Sequence, residues 1–152
     1  MIIGLNHVAM SVSNLEQAIA FYRDLLGMEV VVRKSFGEEG SPGYEKYRAI
    51  LGLKGAHGEV ALLRRTNLQI ELFEFIEPRP KASDFKRPVC DHGITHFCLQ
   101  VADTRSEYAR LKAAGVTFHC PPQEFPGEAI VTYGRDPDGN VFELLQLAGE
   151  SE

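Results

Sequence analysis

The chain has 152 residues, 44% of them hydrophobic and 24% charged, with a formal net charge of −5. That is enough for one domain or two small modules sharing a core, and the composition is that of an ordinary globular protein. The acidic balance, with Arg64-Arg65 as the longest basic cluster, argues against a nucleic-acid partner, and no apolar run is long enough to span a membrane. Three cysteines, Cys90, Cys98 and Cys120, are odd in number and sparse, which fits free thiols in a reducing, cytoplasmic setting.

In chain order, "IIGLNHVAMS" (2–11) is predicted as a strand. Asn14 with Gln17 three residues on suggests a helix start, and Leu15, Ala18, Ile19, Tyr22, Leu25 and Leu26 form its apolar stripe. Gly27 closes it, and "MEVVVRKSF", "EVALLRR" and "LQIELFEFI" are three further strands, the last two joined by a turn at Thr66-Asn67. Pro78 and Pro80 mark a linker. The plan then restarts. "GITHFCLQV" is a strand, Asp103 or Thr104 caps "RSEYARLKAAG", and "VTFHC", "AIVTYGR" and "VFELLQL" follow, with a loop at Pro121, Pro122 and Pro126. Asp136-Pro137-Asp138-Gly139 has type I turn chemistry.

Each half therefore reads βαβββ, an internal repeat. From His7 to Gly27 is 20 residues and from His96 to Gly115 is 19. From His7 to Glu71 is 64 residues, however, against 47 from His96 to Glu143. The surplus falls in an insertion at about 37–58 with a short helix near 44–51. The expected organisation is one domain over 1–148, with module one at 1–80, module two at 90–148 and a tail at 149–152.

Four polar residues occupy matching places: His7 and His96 in the first strands, Glu71 and Glu143 in the last. Glutamates in apolar strands need solvent, a partner or a cation. Two imidazoles and two carboxylates on one face suit a divalent metal such as Zn, Ni, Co, Mn or Fe, with positions left for substrate. Tyr133, ten residues before Glu143, is either a rim aromatic or a catalytic group. Gln69 shares the face of Glu71, while Glu74 falls on the other. Leu5, Phe73, Cys98, Val141 and Leu145 are candidate pocket residues on the ligand face. His57, His119 and the arginines Arg64 and Arg135 are read as loop, strand-end or surface residues, and "CDHGITHFC" lacks the spacing of a zinc site.

The paired modules and the phrases "LNHVAMSVSNLEQAIAFYRDLLGMEV", "LQIELFEFIEP", "HGITHFCLQV" and "YGRDPDGNVFELLQL" resemble the vicinal oxygen chelate superfamily. Its members include glyoxalase I, methylmalonyl-CoA epimerase, extradiol dioxygenases, fosfomycin-resistance proteins and bleomycin-binding proteins. The resemblance implies an α+β fold in which two βαβββ modules curl a mixed sheet around a central metal pocket, commonly in a homodimer. It implies His7, Glu71, His96 and Glu143 as metal ligands, and Glu71 or Glu143 as the base. The reaction class is a metal-dependent lyase or isomerase acting on a small carbonyl or thioester substrate through a metal-stabilised enolate. The alternatives are an Fe(II) ring-cleaving dioxygenase using His7, His96 and Glu143 with Tyr133, or a small-molecule-binding protein without catalysis. Ser11 replaces the arginine that would hold glutathione, and Glu59 does not align cleanly with the epimerase's second acid base.

Overall fold

The computed structural model describes residues 1–149, so residues 150–152 of the expected tail lie outside the described residues. The chain divides into two compact units, Met1–Ala82 and Ser83–Glu152. The first contains β1 (Val8–Ser11), α1 (Leu15–Ala20), β2 (Glu29–Phe36), α2 (Tyr44–Leu51), β3 (His57–Arg65) and β4 (Leu68–Glu77). Its sheet has the order β1-β4-β3-β2, with β1 parallel to β4 and the other pairs antiparallel. The second contains β5 (Phe97–Gln100), α3 (Thr104–Ala113), β6 (Thr117–Phe118), β7 (Gln123–Phe125), β8 (Ala129–Arg135) and β9 (Val141–Leu147). Its sheet runs β5-β9-β8-β6, with β7 also on β8 and β5 parallel to β9. The protein is α+β, with one mixed sheet per unit, and no helix among the described residues is long and apolar enough to cross a membrane.

The two units repeat their hydrogen bonds as well as their strands. Glu143 sits in the β9 ladder where Glu71 sits in β4: Cys98 pairs with Glu143 as Ala9 pairs with Glu71. Val12 N–H donates to Phe73 O, and Val101 N–H donates to Leu145 O, each at 2.8 Å. At the helix starts the correspondence reaches side chains. Asn14 Oδ1 accepts from Gln17 N–H at 2.8 Å, and Asp103 Oδ1 accepts from Arg105 and Ser106 N–H at 2.9 and 3.0 Å. A residue from the last strand then takes one more orphan amide: Glu74 Oε2 accepts from Leu15 N–H at 2.7 Å, and Gln146 Oε1 from Thr104 N–H at 3.2 Å. Glu74 thus lies on the helix side of β4, as the period of two predicts.

The core of each unit is the helix face of its sheet. Leu15, Ala18, Ile19 and Tyr22 pack on Ile70, Leu72, Ala61 and Leu63, all buried. After α1 the backbone widens into a π-type turn over Phe21–Leu25, which buries Phe21 beside Tyr22, the rings 5.1 Å apart and edge-on. In the second unit Phe142 fills the space over Gly134. A Cβ built on Gly134 would stand 2.5 Å from Phe142 Cζ and 3.0 Å from Phe118 Cε1.

Four expectations need correction. The first strand of each half is shorter than predicted: β1 starts at Val8 and β5 at Phe97, so His7 and His96 directly precede their strands. For β1 the ladder gives the reason. Val8 pairs with Ile70, so residues before Asn6 run past the start of β4 at Leu68. The loop expected around Pro121, Pro122 and Pro126 contains β7, an edge strand flanked by prolines, where a missing N–H is tolerated. The insertion ends at residue 56, because β3 starts at His57. Its helix α2 spans Tyr44–Leu51, as its sequence suggests.

Candidate functional site

Each unit brings one histidine against one glutamate. In the first, Glu71 faces away from the buried Ile70 and Leu72, and its Oε2 lies 3.5 Å from His7 Nε2. His7 Nδ1 is 2.8 Å from Asn6 Oδ1, a contact made in the tautomer that carries its proton on Nδ1. Nε2 then presents a lone pair to a carboxylate oxygen. Two acceptors in that position call for a proton or a metal cation between them. Gln69 holds the preceding backbone, donating from Nε2 to Asn6 O at 3.2 Å. In the second unit, His96 Nε2 lies 3.1 Å from Glu143 Oε2, and His96 Nδ1 is 3.0 Å from Thr95 Oγ1. In both pairs the residue before the histidine occupies Nδ1 and leaves Nε2 toward the glutamate. This orientation, fixed from behind, is what metal-binding histidines use.

The donor set therefore fits a divalent cation by chemistry: imidazole Nε2 and carboxylate oxygen, twice. No group of three or more His, Cys, Asp or Glu side chains gathers at metal-holding distance among the described residues.

The surroundings of the two glutamates differ. Glu71 has Ala9 and Leu62 as its cross-strand partners. Glu143 has Cys98 and Tyr133. The Tyr133 ring lies 4.7 Å from the His96 ring and 6.1 Å from that of His119. The Cys98 thiol is pushed up to about 12, chiefly by the atoms crowding its sulfur, then by the charge of Glu143 and a hydrogen bond to it. The residue as a whole is exposed, so the crowding is local to the sulfur. Tyr133 is also pushed up, by burial first and then by Glu143 and Cys98, so its phenol stays protonated at neutral pH. His119 is pushed down by burial and by the Arg135 charge.

Among the other expected site residues, Phe73 and Leu145 stand two residues after their glutamates on the same face, half-buried. Leu5 does not join the His7–Glu71 pair: it lies in the segment before β1 and is 84% exposed, because the ladder ends short of it. Val141 is 7% exposed and belongs to the core, because it opens β9 opposite Arg135, itself buried. Arg135 is structural, donating to Gly139 O at 2.8 Å and Arg87 O at 2.9 Å, which corrects its reading as a surface residue. Glu59 lies opposite Glu74 in the ladder and pairs with Arg33, which also pairs with Glu16 of α1. It belongs to the helix side of the sheet. Asn6 and Thr95 are the residues that sequence reasoning missed. Their signal was visible, since each is a side chain with an oxygen acceptor directly before a repeated histidine.

A family profile described as the Glyoxalase/Bleomycin resistance protein/Dioxygenase superfamily matches residues 4–144. An ethylmalonyl-CoA/methylmalonyl-CoA epimerase from Cereibacter sphaeroides is 33% identical over 115 residues, 76% of this chain and 73% of the relative. A lactoylglutathione lyase from Arabidopsis thaliana is 25% identical over 143 residues, 92% of this chain but 43% of the relative. The chain spans about half the length of several curated relatives that it matches. The crystal structure of a glyoxalase family protein from Bacillus cereus superposes with a TM-score of 0.86 at 21% identity, covering 98% of this chain and 97% of the other, a likeness of fold. With the repeated βαβββ units and their two His–Glu pairs, these matches show that the chain belongs to the glyoxalase/bleomycin resistance protein/dioxygenase superfamily.

Proposed function

We propose that the protein is a divalent-metal-dependent lyase or isomerase acting on a small carbonyl or thioester substrate. The observation that carries this is the repeated pair, with Nδ1 tethered and Nε2 facing a carboxylate in both units. His7, Glu71, His96 and Glu143 would hold the cation. A bound divalent ion supplies Lewis-acid polarisation of the substrate carbonyl. The chain's own residues do the rest. Glu71 or Glu143 takes a proton from the carbon next to that carbonyl and returns it to a neighbouring atom. Tyr133, protonated beside Glu143, donates a hydrogen bond to a substrate oxygen on that side. The working form is a homodimer, and the setting is cytoplasmic. The epimerase and lyase relatives support this reaction class.

The test is elemental analysis of protein purified without added metal, beside Glu71→Ala. About one Zn, Ni, Co or Mn per chain, lost in the variant, supports the reading. Absence of metal even after reconstitution defeats it and leaves a small-molecule-binding protein. A second reading, an Fe(II) ring-cleaving dioxygenase, draws on Tyr133 lying 4.7 Å from His96. Iron retained in Glu71→Ala, with oxygen-dependent catechol consumption, selects it instead.

A further inference from the structure

We infer that the insertion turns one end of the Glu71 face into an aromatic recess. It recognises the non-chelating group of the substrate and favours a flat aryl-bearing carbonyl compound over a short aliphatic one. The inference rests on the metal-binding reading of the His–Glu pairs and names the substituent that fits beside them.

Phe73 follows Glu71 by two residues and shares its face of β4, and Phe75 comes next on the same face. Their rings stack 5.7 Å apart at 20°. Phe36, at the end of β2, meets both edge-on at 5.4 Å. Tyr47 of α2 closes the group, its ring 5.1 Å from that of Phe36. The depths differ in an informative way. Phe36 is 2% exposed and serves as the floor, while Phe73, Phe75 and Tyr47 are half-buried and keep ring surface open. The edge-on contacts hold the open rings in fixed orientation, so a flat ligand group loses little to reorganisation.

The fold does not require these aromatics. In the second unit the corresponding ladder positions carry Leu145 and Leu147, and Phe125 stands where Phe36 does, opposite Ala129 as Phe36 is opposite Gly58. Among the described residues nothing like α2 covers Phe125, which is 52% exposed. The insertion helix buries no residue of its own. Its ring contacts are Tyr47 on Phe36, with the Lys34 ammonium 5.9 Å from the Tyr47 ring, and Arg48 over Tyr44. A helix that buries none of its own residues, yet packs on Phe36 and places an aromatic ring at the edge of the Glu71 face, is suited to selecting what lies there.

The test uses the full chain loaded with Mn or Ni and two bidentate oxygen chelators, acetohydroxamate and benzohydroxamate, by calorimetry. Wild type is expected to bind the phenyl compound about tenfold more tightly. Tyr47→Ala and Phe73→Leu are expected to bring the ratio to within about threefold, chiefly through loss of benzohydroxamate affinity. Phe73→Leu keeps the fold, since Leu145 already fills that position in the second unit. A wild-type ratio near one, or a ratio unmoved in both variants, overturns the proposal. The metal-free protein is titrated in parallel with benzamide by NMR. Shifts at the ring signals of Phe73, Phe75 and Tyr47 support the recess by themselves, and their absence overturns it. Failure of both hydroxamates to bind, with the benzamide shifts present, refutes the metal reading and leaves the recess standing.

Discussion

Glu71 and Glu143 stand at the same place in two units of the same plan, and their neighbours separate the tasks. Glu143 is flanked by Cys98, whose thiol hydrogen-bonds with it, and by Tyr133. Glu71 is flanked by Ala9 and Leu62 and continues into Phe73 and Phe75. The His–Glu pair and its Nδ1 tether are common to both. The repeat thus keeps the His–Glu geometry and lets the residues beside it diverge, polar in one unit and aromatic in the other.

That comparison can be broken at its core. Leu63 over Ile70 in the first unit corresponds to Gly134 over Phe142 in the second. Gly134→Leu is expected to cost about 3 kcal/mol or more, since it overpacks Phe142. Adding Phe142→Ile imports the first unit's pair and should recover more than half of that loss. Urea titration of the three proteins checks this, and a double variant no better than the single one would show that the two cores are not interchangeable. The tethers come next. Asn6→Ala and Thr95→Ala should each weaken metal binding by about ten- to hundredfold, with little effect on stability of the metal-free chain. Metal titration against a competing chelator reads the difference, and unequal losses would identify the unit that dominates binding.

Smaller effects lie at the helix starts. Each has one carboxylate and one carboxamide, with the places exchanged: Asn14 and Glu74 at α1, Asp103 and Gln146 at α3. Glu74→Ala should cost about 1–2 kcal/mol and Gln146→Ala about 0.5–1, because the first bond is charged and shorter. Denaturant midpoints measure both. The smallest difference is one of pH. Hydrogen bonds from the Ser106 hydroxyl and amide, and from the Arg105 amide, hold Asp103 below the usual carboxylate range. Its contribution is present above the unfolded-state pKa and is lost as pH falls through the lower, folded-state value. Asn14 does not titrate. Hydrogen exchange at the Arg105 and Ser106 amides should therefore rise on acidification, while that at Gln17 does not respond to its cap.

Much of this was legible in the residues. The duplicated order of elements, the helix at 44–51 and the matching of His7 with His96 and Glu71 with Glu143 follow from spacing and alternation. What escaped depends on partners distant in the chain. The length of β1 is set by where β4 begins, which no property of "IIGLNH" encodes. Strand β7 lies among prolines that would discourage it anywhere but on an edge. Val141 alternates correctly with Glu143, yet it is buried because the strand's entry packs beside Arg135. Asn6 and Thr95 could have been found, had the residue before each histidine been asked what it might bond.

The connection from Phe36 to His57 holds 20 residues, while its counterpart from Phe125 to Ala129 holds three. In chain entropy that is just under three doublings of a loop, about 1.6 kcal/mol. Taking a phenylalanine from the half-exposed state of Phe125 to the buried state of Phe36 returns about 1 kcal/mol, before Tyr47 is counted. The two nearly cancel. A segment of this size can then be gained, lost or exchanged at this one connection almost without thermodynamic consequence. Duplicated units of this kind could therefore diversify in what they accept long before any change reached the histidines.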